Sequence, residues 1–228
     1  MRLSYSKPGP DTLEQNHIDF TLNSKEHHFN KISVDRSGLT NGLQRLSHKD
    51  SILRSVDLNN RAYSQYATGV MTKMTFPTLP NLLKVPYYSK ILTAELKVVP
   101  VRGTYDTYYF LPPSLNLQNT NLTNNFGGAI VQPGTNSAEG GNLVVDYING
   151  DNTTYSYDVS GYIKALIQSP LASSYALVNP PEYNYGLLLV PPAPATYTQF
   201  SRVVIGNQNQ PQNFKTILIL NYLTIQPK

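Results

Sequence analysis

The chain has 228 residues, a formal net charge of +4, 14% charged residues, 17 Tyr, 17 Pro, and neither Cys nor Trp. The absence of cysteine excludes a disulfide framework, a thiolate zinc site and a Cys nucleophile. The basic residues are scattered singly, not gathered into the patch that neutralises several phosphates, which argues against nucleic-acid binding.

Tyr, Asn, Thr, Ser, Gln and Pro take the place of charge, a composition that suits a secreted β-rich protein better than a cytosolic helical enzyme. No run is long enough to span a bilayer, and the opening MRLSYSKPGPDTLEQ has no apolar segment of the signal-peptide kind. The chain is therefore expected to be a mature or trimmed form. Residues 1–60 hold all four His (His17, His27, His28, His48) and seven of the fourteen acidic residues. Alternation over 18–22 and 29–34 predicts edge strands, Asp35-Arg36-Ser37-Gly38 a turn, and 47–58 a short helix or loop.

From Tyr63 the pattern sharpens. A strand is predicted over 70–76, a turn or two of helix around Leu82 and Leu83, and a half-buried strand over 91–99 with Leu92, Ala94, Leu96 and Val98 inward. Residues 107–111 read as a further strand stopped by Pro112-Pro113. Residues 113–142 are rich in Asn, Gly, Thr and Ser and read as a long loop with room for one short strand, a candidate contact surface. Strands over 143–148 and 153–157 flank the turn signal Asn149-Gly150-Asp151-Asn152. Residues 158–169 form the one predicted helix. Val159, Tyr162, Ile163, Leu166 and Ile167 make its apolar face, Asp158 caps it and Pro170 ends it.

Three apolar runs close the chain, over 185–190, 200–205 and 216–225. The last is apolar at nearly every position and is predicted to be a central strand covered on both faces. Strands at short intervals with one helix predict a single all-β domain over 1–228, an antiparallel β-sandwich of jelly-roll type with the 158–169 helix packed on it. Within it, 1–60 is more polar and 61–228 is the core sandwich.

Several ordered pieces carry a family likeness: Tyr63-Ser64-Gln65 through Gly69 to Phe76-Pro77, Ile91 to Leu96 and Pro100, Tyr157-Asp158 to Tyr162-Ile163, Tyr185-Gly186, Ser201-Arg202 to Ile205-Gly206, and Lys215 to Tyr222. Over about residues 60–226 the chain resembles the lipoprotein family known as domain of unknown function 4270, found in Bacteroidota. The resemblance implies an exported, lipid-anchored location at the cell envelope or outer-membrane surface, with the anchor outside this cysteine-free chain, and it assigns no activity. Asp158-Val159-Ser160, Tyr185-Gly186-Leu187 and Leu220-Asn221-Tyr222 are also similar to secreted jelly-roll modules, some of which bind carbohydrate.

No catalytic motif stands out. After His48 there is no His, and the carboxylates Glu95, Asp106, Glu139, Asp146, Asp151, Asp158 and Glu182 form no close pair in sequence. Distant carboxylates could still serve a hydrolase. His27-His28 would point to opposite faces of a strand and suit one metal ion poorly. No catalytic residue, cofactor or metal ligand is therefore assigned. The binding candidates are aromatic. Tyr105, Tyr108, Tyr109, Phe126, Tyr183, Tyr185 and Tyr197 flank loops or strand ends, and exposed Tyr offers large contact area at low entropy cost. The plainer reading makes most of them half-buried sheet residues with wet hydroxyls. Arg202 interrupts an apolar strand. Such an Arg either pairs with a carboxylate or reaches the rim, or else anchors an anionic or hydroxylated ligand. Tyr108, Tyr109, Phe126, Tyr185 and Arg202 are the expected binding residues of a non-enzymatic surface module that contacts an envelope protein. The alternative is a carbohydrate-binding module, with a glycan as partner.

Overall fold

The computed structural model describes residues 2–10, 12–19, 33–39, 42–48, 51–79, 88–148, 150–172, 185–193 and 200–224. The predicted helical turn at Leu82–Leu83, the His27-His28 pair, Glu182, Tyr183, Tyr197 and most of the predicted 29–34 strand lie outside them. The contacts divide the chain into two units, Met1–Ser33 and Val34–Lys228.

In the first unit, β1 (Arg2–Pro8) and β2 (Leu13–Asp19) form an antiparallel hairpin, with Leu3 opposite Ile18 and Lys7 opposite Glu14. Arg2 and Asp19 close its open end, with Nε to Oδ1 at 2.6 Å and Nη2 to Oδ2 at 2.9 Å.

The second unit is an all-β sandwich with one helix. Its strands are β3 (Arg61–Gln65), β4 (Thr72–Met74), β5 (Tyr88–Val98), β6 (Asn116–Thr120), β7 (Phe126–Ala129), β8 (Asn142–Val144), β9 (Thr154–Asp158), β10 (Leu187–Val190), β11 (Arg202–Gly206) and β12 (Ile217–Thr224), with α1 (Ser160–Ala172) between β9 and β10. One sheet runs β4-β10-β6-β7 and another β12-β5-β9-β8, while β11 pairs with β3. All pairs are antiparallel. The inward faces of the two larger sheets meet in one core, to which Leu117 of β6, Leu187 and Leu189 of β10, Leu96 and Val98 of β5, and Tyr155 and Tyr157 of β9 contribute.

Beyond the end of β5, the backbone passes to β11: Val101 N donates to Val204 O at 2.8 Å and Gly206 N to Val99 O at 3.2 Å. A buried hydroxyl ties β3 to the other sheet. Ser64 Oγ accepts the Thr72 amide at 3.0 Å and donates to Leu189 O at 3.3 Å.

The helix buries the predicted face, with Val159, Tyr162, Ile163, Leu166 and Ile167 all in the core. Asp158 Oδ1 accepts the Ser160 amide at 2.8 Å, and Ser160 Oγ accepts the Ala94 amide at 2.8 Å, so the helix start is fastened to β5. The helix continues through Pro170 to Ala172. Proline there forgoes only the bond to the Leu166 carbonyl, a loss one further turn tolerates.

Four other expectations are corrected. Among the described strands the apolar run at the C-terminus is not central: β12 lies at the end of its sheet order, pairs with β5, and is exposed over much of its length. The 113–142 stretch is not one long loop, since it contains β6, β7 and a Val131–Ala138 bridge, with Leu115 and Leu117 in the core. The 70–76 strand shortens to β4, with Val70 bridging Gln65. In β5 the inward face is Ile91, Ala94, Leu96 and Val98, while Leu92 is exposed. The register slips there, because Thr93 pairs with Asn221 but Ile91 with Tyr222. A bulge of this kind switches which side chains face inward.

Candidate functional site

The site is built on the segment that leaves β5 and enters β6. It opens with Thr104, whose hydroxyl donates to Val101 O at 2.6 Å, and with Tyr105, whose hydroxyl reaches Gly150 O at 3.4 Å. Asp106 then sets the local conformation. Its Oδ1 accepts the amides of Tyr108 at 2.7 Å and Tyr109 at 2.8 Å, while its own amide donates to Tyr109 O at 3.1 Å. An Asp that satisfies backbone amides in this way competes with strand formation. Residues 107–111 therefore do not form the predicted strand, and Tyr108, Tyr109 and Phe110 stand out at 88%, 59% and 63% exposure.

Directly after this tip the chain dives into the core and is gripped there. The hydroxyl of Tyr155 donates to Pro112 O at 2.6 Å, that of Tyr66 to Ser114 O at 3.2 Å, and that of Tyr157 to Leu115 O at 3.0 Å. These phenols lie in the core. Burial pushes the Tyr66 hydroxyl up to about 12 and raises those of Tyr155 and Tyr157 further, so all three remain protonated donors. Each hydroxyl satisfies a carbonyl that would otherwise be desolvated without a partner, and each removes freedom from the segment below the tip.

Arg202, the first residue of β11, comes from far along the sequence. Its guanidinium carbon lies 4.6 Å from the centre of the Tyr109 ring. The residue is exposed, and among the described residues it has no carboxylate within ion-pair distance and no side-chain hydrogen bond. Phe200, two residues before it, is 70% exposed. An arginine stacked on an aromatic ring is held in orientation by cation–π attraction while its in-plane N–H groups remain available.

Of the five expected binding residues, Tyr109 and Arg202 meet, and Tyr108 lies beside Tyr109 in the turn that Asp106 holds. Phe126 and Tyr185 do not join them. Phe126 pairs with Thr120 at the far end of β6, and Tyr185 stands two residues before Leu187, the partner of Asn119. The register thus places both at the opposite end of the sheet from the 112–115 segment. Phe110 and Phe200 were missed as site residues. Phe110 falls in the stretch expected to be a strand, and the one signal against that expectation is Asp106, a side chain suited to closing a turn.

The carboxylates are engaged separately. Asp158 holds the helix start, Asp146 Oδ1 accepts the Ile148 amide at 3.0 Å, and Asp151 lies 3.9 Å from Arg102. Glu139 is 4% exposed. Burial raises its pKa, the Asp158 charge raises it further, and a hydrogen bond from the Gly141 amide partly opposes both. Gly141 is obligatory there: its φ is +71°, and a Cβ would come within 2.6 Å of the Tyr157 ring. Among the described residues no three His, Cys, Asp or Glu side chains are grouped to hold a metal, and no helix is long and apolar enough to cross a membrane. Comparison with family models, with curated proteins and with solved structures finds no match to this chain.

Proposed function

We propose that this chain is a non-enzymatic binding or assembly module of a bacterial cell envelope, and that it contacts a partner protein through Tyr108, Tyr109, Phe110 and Arg202. One observation carries the reading: an exposed aromatic tip is anchored from below by three buried tyrosine hydroxyls and braced from the side by a stacked arginine. Contact energy at protein interfaces concentrates in Tyr, Arg and similar large side chains, and rigid anchors lose little entropy on binding. Residues exposed for packing reasons alone would not require such support. The envelope location and the lipid anchor rest on the resemblance carried by residues 60–226.

The rival reading is a carbohydrate-binding module. Sugar platforms use aromatic faces too, yet Phe110 and Phe200 offer no hydrogen bond to a hydroxyl. The two readings separate in one experiment. The chain and its Tyr108→Ala/Phe110→Ala variant are cross-linked in envelope extracts, the captured protein is purified, and its binding to both forms is measured beside a glycan array. A loss of about ten-fold or more in the variant, at unchanged melting temperature, is expected from removal of two anchors. Equal binding by both forms, or saturable micromolar binding to a single glycan, would overturn the proposal.

A further inference from the structure

We infer that Arg202 is the seat for a carboxylate of the partner, so that the segment docking at the aromatic tip is an acidic peptide. The inference rests on the binding-surface reading above and adds the partner's chemistry to it. Some arginines meet a carbonyl or a carboxylate of their own chain: the half-buried Arg36 donates to Leu46 O at 2.8 Å and Thr68 O at 2.9 Å, and the exposed Arg2 forks onto Asp19. Arg202 has neither kind of partner among the described residues and touches the Tyr109 ring instead.

The contact with the Tyr109 ring, 4.6 Å from the guanidinium carbon to the ring centre, engages the cation without an acceptor for its N–H groups. A carboxylate meets such a fork in plane, through two parallel N–H···O bonds. The acid nearest the 108–110 tip in sequence, Asp106, is committed to the amides of Tyr108 and Tyr109. A phosphate would call for several cations, and residues 105–111 and 200–202 carry Arg202 alone. The flanks narrow the choice further: Phe110 and Phe200 are exposed and apolar, so they suit hydrophobic side chains beside the acid better than the hydroxyls of a uronic acid. Charge complementarity and apolar flanks together favour an acidic peptide.

The test is an NMR titration of the full chain with N-acetylphenylalanine, which carries both a ring and a carboxylate, against its neutral amide and against glucuronate. The acid should shift the signals of Tyr109, Phe110 and Arg202, and should bind about ten-fold more tightly than the amide, one charge-assisted pair's worth. Arg202→Gln should abolish that preference while leaving the weak contact with the rings. Equal affinity of acid and amide at this end would sink the carboxylate seat and leave the binding surface standing. Absence of any shift here, or glucuronate binding as tightly as the acid, would also overturn the inference. Should Arg202→Gln fail to fold, the acid-to-amide comparison in the native chain decides alone.

Discussion

The strands β10 and β12 look alike in sequence and sit in opposite circumstances. Both are uncharged apolar runs, LLLV and ILILNYLT. β10 lies between β4 and β6, and all four of its residues are buried. β12 pairs with β5 alone among the described strands, and its last four residues are exposed. A continuous apolar run identifies a strand, but its place in the sheet depends on which distant segments pair with it. β12 also carries two register shifts against β5, and bulges of this kind twist an edge strand away from the flat template that invites aggregation.

Substitution sharpens the contrast. Leu189→Ala in β10 should cost about 2–5 kcal/mol, because a fully buried leucine leaves a cavity in the shared core. Leu223→Ala in β12, where 49% of the residue is exposed, should change stability by no more than about 0.5 kcal/mol. Denaturant midpoints of the two variants measure this directly, and comparable losses would return β12 to the centre of the sheet.

A smaller effect tests the support beneath the aromatic tip. Tyr157→Phe keeps the ring and removes the hydroxyl, leaving the Leu115 carbonyl without its tyrosine donor at a cost of about 1–2 kcal/mol. Hydrogen exchange in the 108–115 segment should accelerate in this variant. Unchanged exchange would mean that the hydroxyl is not what holds the segment.

The smallest effect concerns pH. Burial raises the pKa of Glu139 in the folded chain, so the fold favours the protonated carboxyl. Its stabilising contribution is complete below the ordinary carboxyl pKa and is lost as pH rises through the raised folded value. Glu139→Gln should therefore melt slightly higher than the native chain at neutral pH, with the two curves converging in acid. A difference that does not vary with pH would remove Glu139 from this role.

Much of the framework was legible in local pattern. The apolar face of α1 is fixed by spacings of three and four, and its five predicted residues are the ones buried. The β8–β9 hairpin was legible from a strand on either side of a turn signal, although β8 stops at Val144 where the strand was expected to reach residue 148. β5 was legible as a strand but not as to which side of Leu92 faces inward, since its bulge is set by pairing with Asn221 and Tyr222. The loop expected over 113–142 fails for a related reason. Asn and Gly are poor strand formers locally, and β6 exists because it completes a ladder with β10 and buries Leu117.

For the candidate site, the sequence by itself determined the ingredients: an uncharged, tyrosine-rich chain, an arginine set in an apolar run, and an Asp positioned to close a turn ahead of Pro112. Tertiary structure alone decided which of them meet. Tyr109 and Arg202 become neighbours only because β11 pairs with β3 and with the backbone just past β5, which brings the start of β11 beside the segment that leaves it. Phe126 and Tyr185 were equally plausible by residue type, and the register of β6 carried them to the other end. Periodicity reports which face of an element is buried. It holds no information on which of two distant elements will lie side by side, because that choice is made by long-range pairing and by packing in the shared core.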